Sequence, residues 1–341
     1  MRKRIILLAV CCITLAGWPE TVYYVNDFLN NGGGARSMAM GEAMAADPGD
    51  RSAALYNPAA LLGLSFATLE ASHASLFSGT VDYTFVSGVL PISQGKAIGL
   101  YMLRSAVDDI WDTRGFEKDE AGRPIYSSDR LRLISNMDYA VALSYAAYWR
   151  EAFRYGVTAK FIRRRLDKLE SFGTALDAGI QYHLSEVVTA GLYARNITAS
   201  FNRYYADEWE IGLPELFPGL CAKKELPYLY GTLEASFQLV NLLPTSGVAQ
   251  GPFGGSLDLE DDVPTELQWV KDPVRCLLST NAGLEYGYRD IFFLRVGTHP
   301  LYLFTAGIGL KLGKFTVDSA LRRHTELNDS YRVSLAWDFR G

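Results

Sequence analysis

Four histidines, His73, His183, His299 and His324, are scattered through the chain. None sits at the His-Glu-x-x-His spacing that places two imidazoles on one helical face around zinc. A serine nucleophile needs a tight glycine-flanked turn, but Gly-x-Ser-x-Gly is absent and Gly254-Gly255-Ser256 reads as a loop. Gly309-Leu-Lys-Leu-Gly313-Lys314 has the wrong glycine spacing for a phosphate loop and reads as strand and turn. Asp108-Asp109 and Glu260-Asp261-Asp262 offer oxygen ligands without the spacing of a calcium loop, so they read as solvated acidic loops. The pattern predicts no enzyme, no metal and no cofactor. Arg163-Arg164-Arg165, with Lys160 and Lys168 nearby, is either a solvated hairpin tip or an attractor for anionic headgroups and carboxylates. Cys221 and Cys276 form a candidate disulfide if the chain reaches an oxidising compartment, with geometry deciding whether they meet.

The elements that would position such residues are strands. Residues 172–184 set Phe172, Thr174, Leu176, Ala178, Ile180, Tyr182 and Leu184 against Gly173, Ala175, Asp177, Gly179, Gln181 and His183. Residues 137–149 alternate in the same way. This is the period of a strand, and each run exceeds the usual ~5–6 residues of a globular sheet and suits the ~9–11 needed to cross a bilayer at a tilt. Further candidates are 64–76, 81–90, 96–105, 153–166, 187–197, 227–240, 276–288, 291–298, 303–312, 314–323 and 331–339. Aromatic residues gather near strand ends, as at Tyr148-Trp149, Tyr286 to Tyr288 and Trp337 to Phe339, where a barrel meets the membrane interfaces. Parity places Lys160, Asp177 and Gln181 in the lumen. A soluble β-sandwich also alternates, but strand length and aromatic placement favour the membrane reading.

The ends of the chain agree. Arg2-Lys3-Arg4 precedes a short apolar run, Ile5 to Ala16, with small residues at Ala16 and Gly17. This predicts a cleaved signal peptide over 1–17, since the run is shorter than the ~18 residues of a membrane span. Losing three basic residues takes the net charge from −5 to −8, a poor balance for binding nucleic acid. The last strand, Tyr331 to Phe339, ends on aromatics of the kind that the outer-membrane assembly machinery reads. Thirteen strands leave the loop parity broken after residue 240. A fourteenth strand within 241–275, for instance at 264–270, repairs it. Loops 106–135 and 199–226 are then long and external, whereas turns at 91–95, 150–152 and 185–186 are short and periplasmic.

Ahead of the strands, residues 18–63 show no sustained period. They contain Gly34-Ala35-Arg36, Met40-Gly41 and Asn57-Pro58-Ala59. This segment resembles the N-terminal region of the outer-membrane long-chain fatty-acid transporter (FadL-type) superfamily. It is most similar to an uncharacterised branch known from spirochaetes and to the carrier barrels of type IX secretion. Gly283 to Tyr286, Phe293 to Gly297, Ala306 to Gly309 and Val333 to Trp337 resemble the closing strands of the first branch. Ala39, Glu42 and Ala60 depart from the pattern, where glycine is common. The resemblance implies an all-β fold: a 14-stranded antiparallel transmembrane β-barrel over 64–341, with an N-terminal hatch plugging the lumen over 18–63. Its small residues let backbone pack closely, and Pro58 biases Asn57 to an extended shape.

The implied setting is the outer membrane, with lipid around the wall. The implied activity is passive uptake of a hydrophobic ligand such as a fatty acid, entering from outside and leaving sideways through the wall. The alternative is a barrel that docks secreted proteins through its long external loops.

Overall fold

The computed structural model describes residues 26–112, 132–198, 200–204, 209–212, 214–239, 241–243, 280–299, 302–324 and 328–339. The proposed signal peptide, Cys276 and the 264–270 strand lie outside these. Alternating residues build long antiparallel strands: β1 (Ala67–Leu76), β2 (Val81–Ser93), β3 (Lys96–Asp112), β4 (Arg132–Arg150), β5 (Phe153–Leu166), β6 (Leu169–His183) and β7 (Val188–Arg195). A short hairpin, β8 (Ser200–Tyr204) and β9 (Trp209–Gly212), follows, then β10 (Glu215–Leu226), β11 (Gly231–Gln238), β12 (Asn281–Tyr288), β13 (Phe292–His299), β14 (Tyr302–Leu312), β15 (Phe315–His324) and β16 (Ser330–Phe339). Neighbours in sequence pair in space, β5 pairs with β6, and β1 pairs with β16 in the register Ala67↔Phe339 to Ser75↔Tyr331, so the sheet closes.

Because β8 continues β7 along β6, and β9 leads into β10, fourteen strands form the wall. Closure of the fourteen-stranded ring pairs each wall strand on both sides, which is how backbone groups are satisfied in hydrocarbon. Leu100, Leu143, Val157, Phe161, Val296, Ile308, Val333 and Leu335 are exposed on the outer face. An apolar face of this extent has water as an unfavourable neighbour and lipid as a favourable one. At one end Phe315 stacks on Trp337 at 5.8 Å, and Trp337 on Phe339 at 4.2 Å. Arg289 lies over the rings of Tyr230 and Tyr288 at 5.3 and 5.2 Å. Among the described residues no helix is long and apolar enough to cross a membrane.

The fourteenth strand is not where the loop parity put it. It is β10, inside the stretch expected as an external loop over 199–226. Consequently β11 runs in the opposite direction to that expected for 227–240. Pro218 and the run Lys223-Lys224-Glu225 hid the strand. Yet Leu216, Pro218, Leu220 and Ala222 take alternate positions, while Gly219 and Cys221 are buried on the other face. The loop over 106–135 is also shorter than expected, because β3 runs to Asp112 and β4 starts at Arg132.

Candidate functional site

Residues 26–64 touch the same face of strands all around the ring, so they lie within it. Two short helices, α1 (Ala35–Ala39) and α2 (Ala53–Tyr56), and 3-10 turns at Asp27–Asn31 and Pro58–Gly63 shape the segment. α1 packs on β13 to β16, and the Pro58 turn packs on β3 to β6.

The wall makes room for this segment with glycines paired across strands: Gly156↔Gly179, Gly191↔Gly219 and Gly283↔Gly297. A Cβ at Gly156 would overlap Pro58 and Ala59, one at Gly179 would overlap Asn57, and one at Gly191 would overlap Ala45. One at Gly283 or Gly297 would overlap Met40 or Gly41. Sequence reading noted the glycines of the segment but missed this matching belt, whose signal is glycine at inward positions of adjacent strands.

Each residue of the N-terminal motif has a definite place. Gly34 lies so close to Glu70 that a side chain there would collide with it. The Ala35 N–H donates to Ser334 Oγ at 2.7 Å. Gly41 has φ +61 and abuts the Ala282 and Thr298 carbonyls, which suits glycine alone. Asn57 is extended, its Oδ1 accepts from the Ala59 N–H at 3.0 Å, and its Nδ2 donates to the Ala45 and Ile180 carbonyls at 2.5 and 3.2 Å. Asn57 therefore ties three stretches of backbone together.

Arg36 is the centre of the charged side. Its guanidinium donates to Asp47 (2.7 Å), Asp50 (2.9 Å), Glu234 (2.6 Å) and Glu285 (2.9 Å). Glu234 and Glu285 stand directly opposite one another on β11 and β12, a like-charge pair that disfavours the sheet unless bridged. Lys223 opposes Glu234 on β10 and Arg295 opposes Glu285 on β13, so one row across four strands reads plus, minus, minus, plus. Arg36 caps the two minus signs from inside. Arg295 also reaches Asp318 at 2.6 Å, and Arg51 grips Asp338 at 3.0 Å. Burial disfavours a charged Arg36, but its four carboxylates outweigh that and raise its pKa well above the ordinary value. Burial pushes the Asp50 carboxyl up, yet Arg36 and hydrogen bonds from Ser52 hold it below its usual range.

The other side of the lumen carries the apolar cluster. Phe28 and Leu29 of the segment are buried among Leu76, Tyr83, Phe85, Tyr101, Leu103 and Ile162 of β1 to β5. At the border, Arg332 lies over the Tyr83 ring at 5.0 Å and donates to the Gly33 and Asn31 carbonyls at 2.5 and 2.7 Å. Arg322, also fully buried, pairs with Glu42 at 3.1 Å. Glu42 holds φ +59, the left-handed conformation for which glycine is the usual residue.

Lys160 and Asp177 are both buried in the wall, 2.8 Å apart, and Gln181 donates to the Asp47 carbonyl at 2.7 Å. Arg164 turns inward to Asp138, whereas Arg163 pairs with Glu170 outside, so the basic run is split between the two faces. Cys221 is buried on the lumen face. Among the described residues no group of three or more His, Cys, Asp or Glu side chains is placed to hold a metal ion.

The closed fourteen-stranded barrel is shared with solved structures of hydrocarbon channels. The toluene transporter TodX of Pseudomonas putida aligns over 91% of this chain and 99% of its own, at 12% identity and a TM-score of 0.54. The monoaromatic hydrocarbon channel CymD aligns over 91% and 98%, at 12% identity and a TM-score of 0.52. The fourteen-stranded antiparallel barrel implied by the resemblance to the FadL-type superfamily is therefore the barrel observed. No protein-family model and no curated protein matches the chain.

Proposed function

We propose that this protein is an outer-membrane channel for passive uptake of hydrophobic compounds, long-chain fatty acids foremost, with residues 18–63 as a movable hatch. One observation carries the reading. The segment fills the lumen as an amphiphilic carboxylate would, with apolar Phe28 and Leu29 on the apolar wall and the Asn31 and Gly33 oxygens on Arg332. A fatty acid offers the same two groups, a chain and a pair of oxygen acceptors, and a charged acceptor strengthens the bonds to a guanidinium. Its arrival would compete the hatch out of place, because a ligand shifts a conformational equilibrium only by binding one state better.

A sideways exit has a natural place. Between the pairs Ala178↔Ala194 and Thr174↔Phe201, β6 advances from 178 to 174 while the facing strand advances from 194 to 201. The facing strand carries extra residues there, with the Ile197 N–H donating to the Leu176 carbonyl at 2.8 Å, and such a bulge locally disrupts the ladder.

The test is ligand binding to protein in lipid vesicles, with oleate and toluene compared. Oleate binding is expected, and Arg332→Gln should weaken it by about tenfold, the scale of one charge-assisted hydrogen bond, while leaving toluene unchanged. A folded barrel that takes up neither compound would refute the channel. Equal losses for oleate and toluene would refute the carboxylate contact.

A further inference from the structure

Five carboxylates, Asp47, Asp50, Glu234, Glu285 and Asp318, meet three cations, Arg36, Arg295 and Lys223, in the network that fastens the segment to β10, β11, β12, β13 and β15. The excess is negative, and it is concentrated where Asp47 and Glu234 take the two terminal nitrogens of the one Arg36 guanidinium, at 2.7 and 2.6 Å. Two buried carboxyls on one shared cation are relieved when one of them carries a proton. We propose that a proton held by the Asp47–Glu234 pair is part of the latch, so that closure of the lumen is proton-linked and the segment releases from β11 when the proton is lost to bulk water.

The Gly49 N–H donates to Asp47 Oδ1 at 3.0 Å and favours the charged form, but burial and the acids around Asp47 act the other way. Arg36 faces it at 2.7 Å but divides its charge among four acids. Asp50 and Glu234 lie beside it, and Glu285 stands across Arg36. From β10, Lys223 reaches the far oxygen of Glu234 at 3.0 Å, and the Cys221 side chain is nearby. From β5, Arg154 donates to the Pro48 carbonyl and not to the Asp47 carboxylate. Gln181 of β6 likewise holds the Asp47 backbone oxygen. Asp47 thus has one shared cation against two adjacent acids. Burial first, with Glu234 and Asp50 added, overcomes the pull of Arg36 and raises the Asp47 carboxyl to about 8.

The sign follows. In an open lumen Asp47 returns to its ordinary value of 3.8. A group that holds its proton more tightly when closed favours closure fully at acid pH and progressively less as pH rises toward 8, with no further change above. Asp50 is shifted in the opposite direction and acts only in acid. Glu42, raised by burial in the neighbouring arginine pair, adds to the dependence without involving Asp47.

This inference rests on reading the segment as a movable hatch, but its test does not depend on what the channel carries. Cys221 is buried beneath the segment, two residues from Gly219, which contacts Ala45. In full-length protein with Cys276→Ala, maleimide labelling of Cys221 reports opening, with rates at each pH divided by those of the unfolded chain to remove thiol chemistry. Between pH 5 and 8 the corrected rate should rise by at least about tenfold, against a limit of tenfold per pH unit for one proton. Asp47→Asn imitates the protonated acid. It should match the parent near pH 5 and fall at least about tenfold behind it at pH 8. Arg36→Ala should label quickly at every pH, with heat-modifiable gel mobility confirming that the barrel has folded. Parallel profiles for the parent and Asp47→Asn would overturn the proposal. So would faster opening of Asp47→Asn at all pH values, which would make Asp47 a plain charged partner of Arg36. If Arg36→Ala stays as slow as the parent, the segment is not latched here, whatever the ligand experiments show.

Discussion

The two sides of the lumen hold the same segment by opposite means. On β1 to β5 the contact is largely hydrocarbon: Phe28 and Leu29 sit among aliphatic and aromatic side chains, and the directional bonds run from wall side chains to backbone carbonyls, as from Tyr83 to Gly32 at 2.7 Å. On β10 to β16 it is ionic, with Arg36 and Arg51 of the segment bound to Glu234, Glu285 and Asp338 of the wall. Apolar packing is non-directional and can be taken over by any molecule of similar size. Buried ion pairs are geometrically demanding, and breaking one leaves an uncompensated charge. The segment is therefore fastened by buried ion pairs on one side and by packing with hydrogen bonds to its carbonyls on the other, so movement should begin at Phe28 and Leu29 and pivot about Arg36.

Substitutions can separate the two sides. The largest effect is expected from Arg36→Ala. It leaves four acids facing one another and should destabilise the closed segment by about 3–5 kcal/mol, the cost of orphaning a buried charge; chemical labelling at Cys221 and protease access to residues 26–64 would measure it. Next is Phe28→Ala, which removes a buried ring and should weaken closure by about 3 kcal/mol or less, within the range of large-to-small core changes. Its signature is tighter oleate binding with the charged side still protected from exchange. If Phe28→Ala instead frees the Arg36 side, the two sides are one cooperative unit and the comparison fails. The smallest effect belongs to Glu42→Gly. It relieves a left-handed non-glycine backbone, of order 1 kcal/mol, which offsets only part of the cost of taking the Glu42 carboxylate from buried Arg322, so a net loss of about 2 kcal/mol in thermal stability is expected. A loss greater than that of Arg36→Ala would show that the Arg322 pair, and not Arg36, carries the fastening.

Much of this was legible in the sequence, for physical reasons particular to each part. Leu176, Ile180 and Tyr182 alternate with Ala175, Asp177, Gly179 and Gln181 because one face of β6 meets hydrocarbon and the other a polar interior, so even a buried aspartate could be placed by parity. β10 escaped because Pro218 and a charged run blur its alternation, and a single missed strand reversed the direction assigned to the next. Arg36 stood out within its motif, but its partners lie 11, 14, 198 and 249 residues away, and no local pattern carries such distances. The glycine belt was visible residue by residue. Its meaning appears only when register sets Gly156 beside Gly179 and Gly283 beside Gly297.

The seam between β1 and β16 bears on how such an object is built. What fills the ring is synthesised before the first strand, while three of its anchors, Arg332, Ser334 and Asp338, belong to the last. Until the carboxy-terminal strand docks, the filler has nothing to hold it on that flank. Biogenesis of this chain is then better pictured as cloth wrapped round a mandrel than as a tube corked afterwards, and a ribosome that stalled short of Ser330 would leave both the cylinder unsealed and its contents adrift.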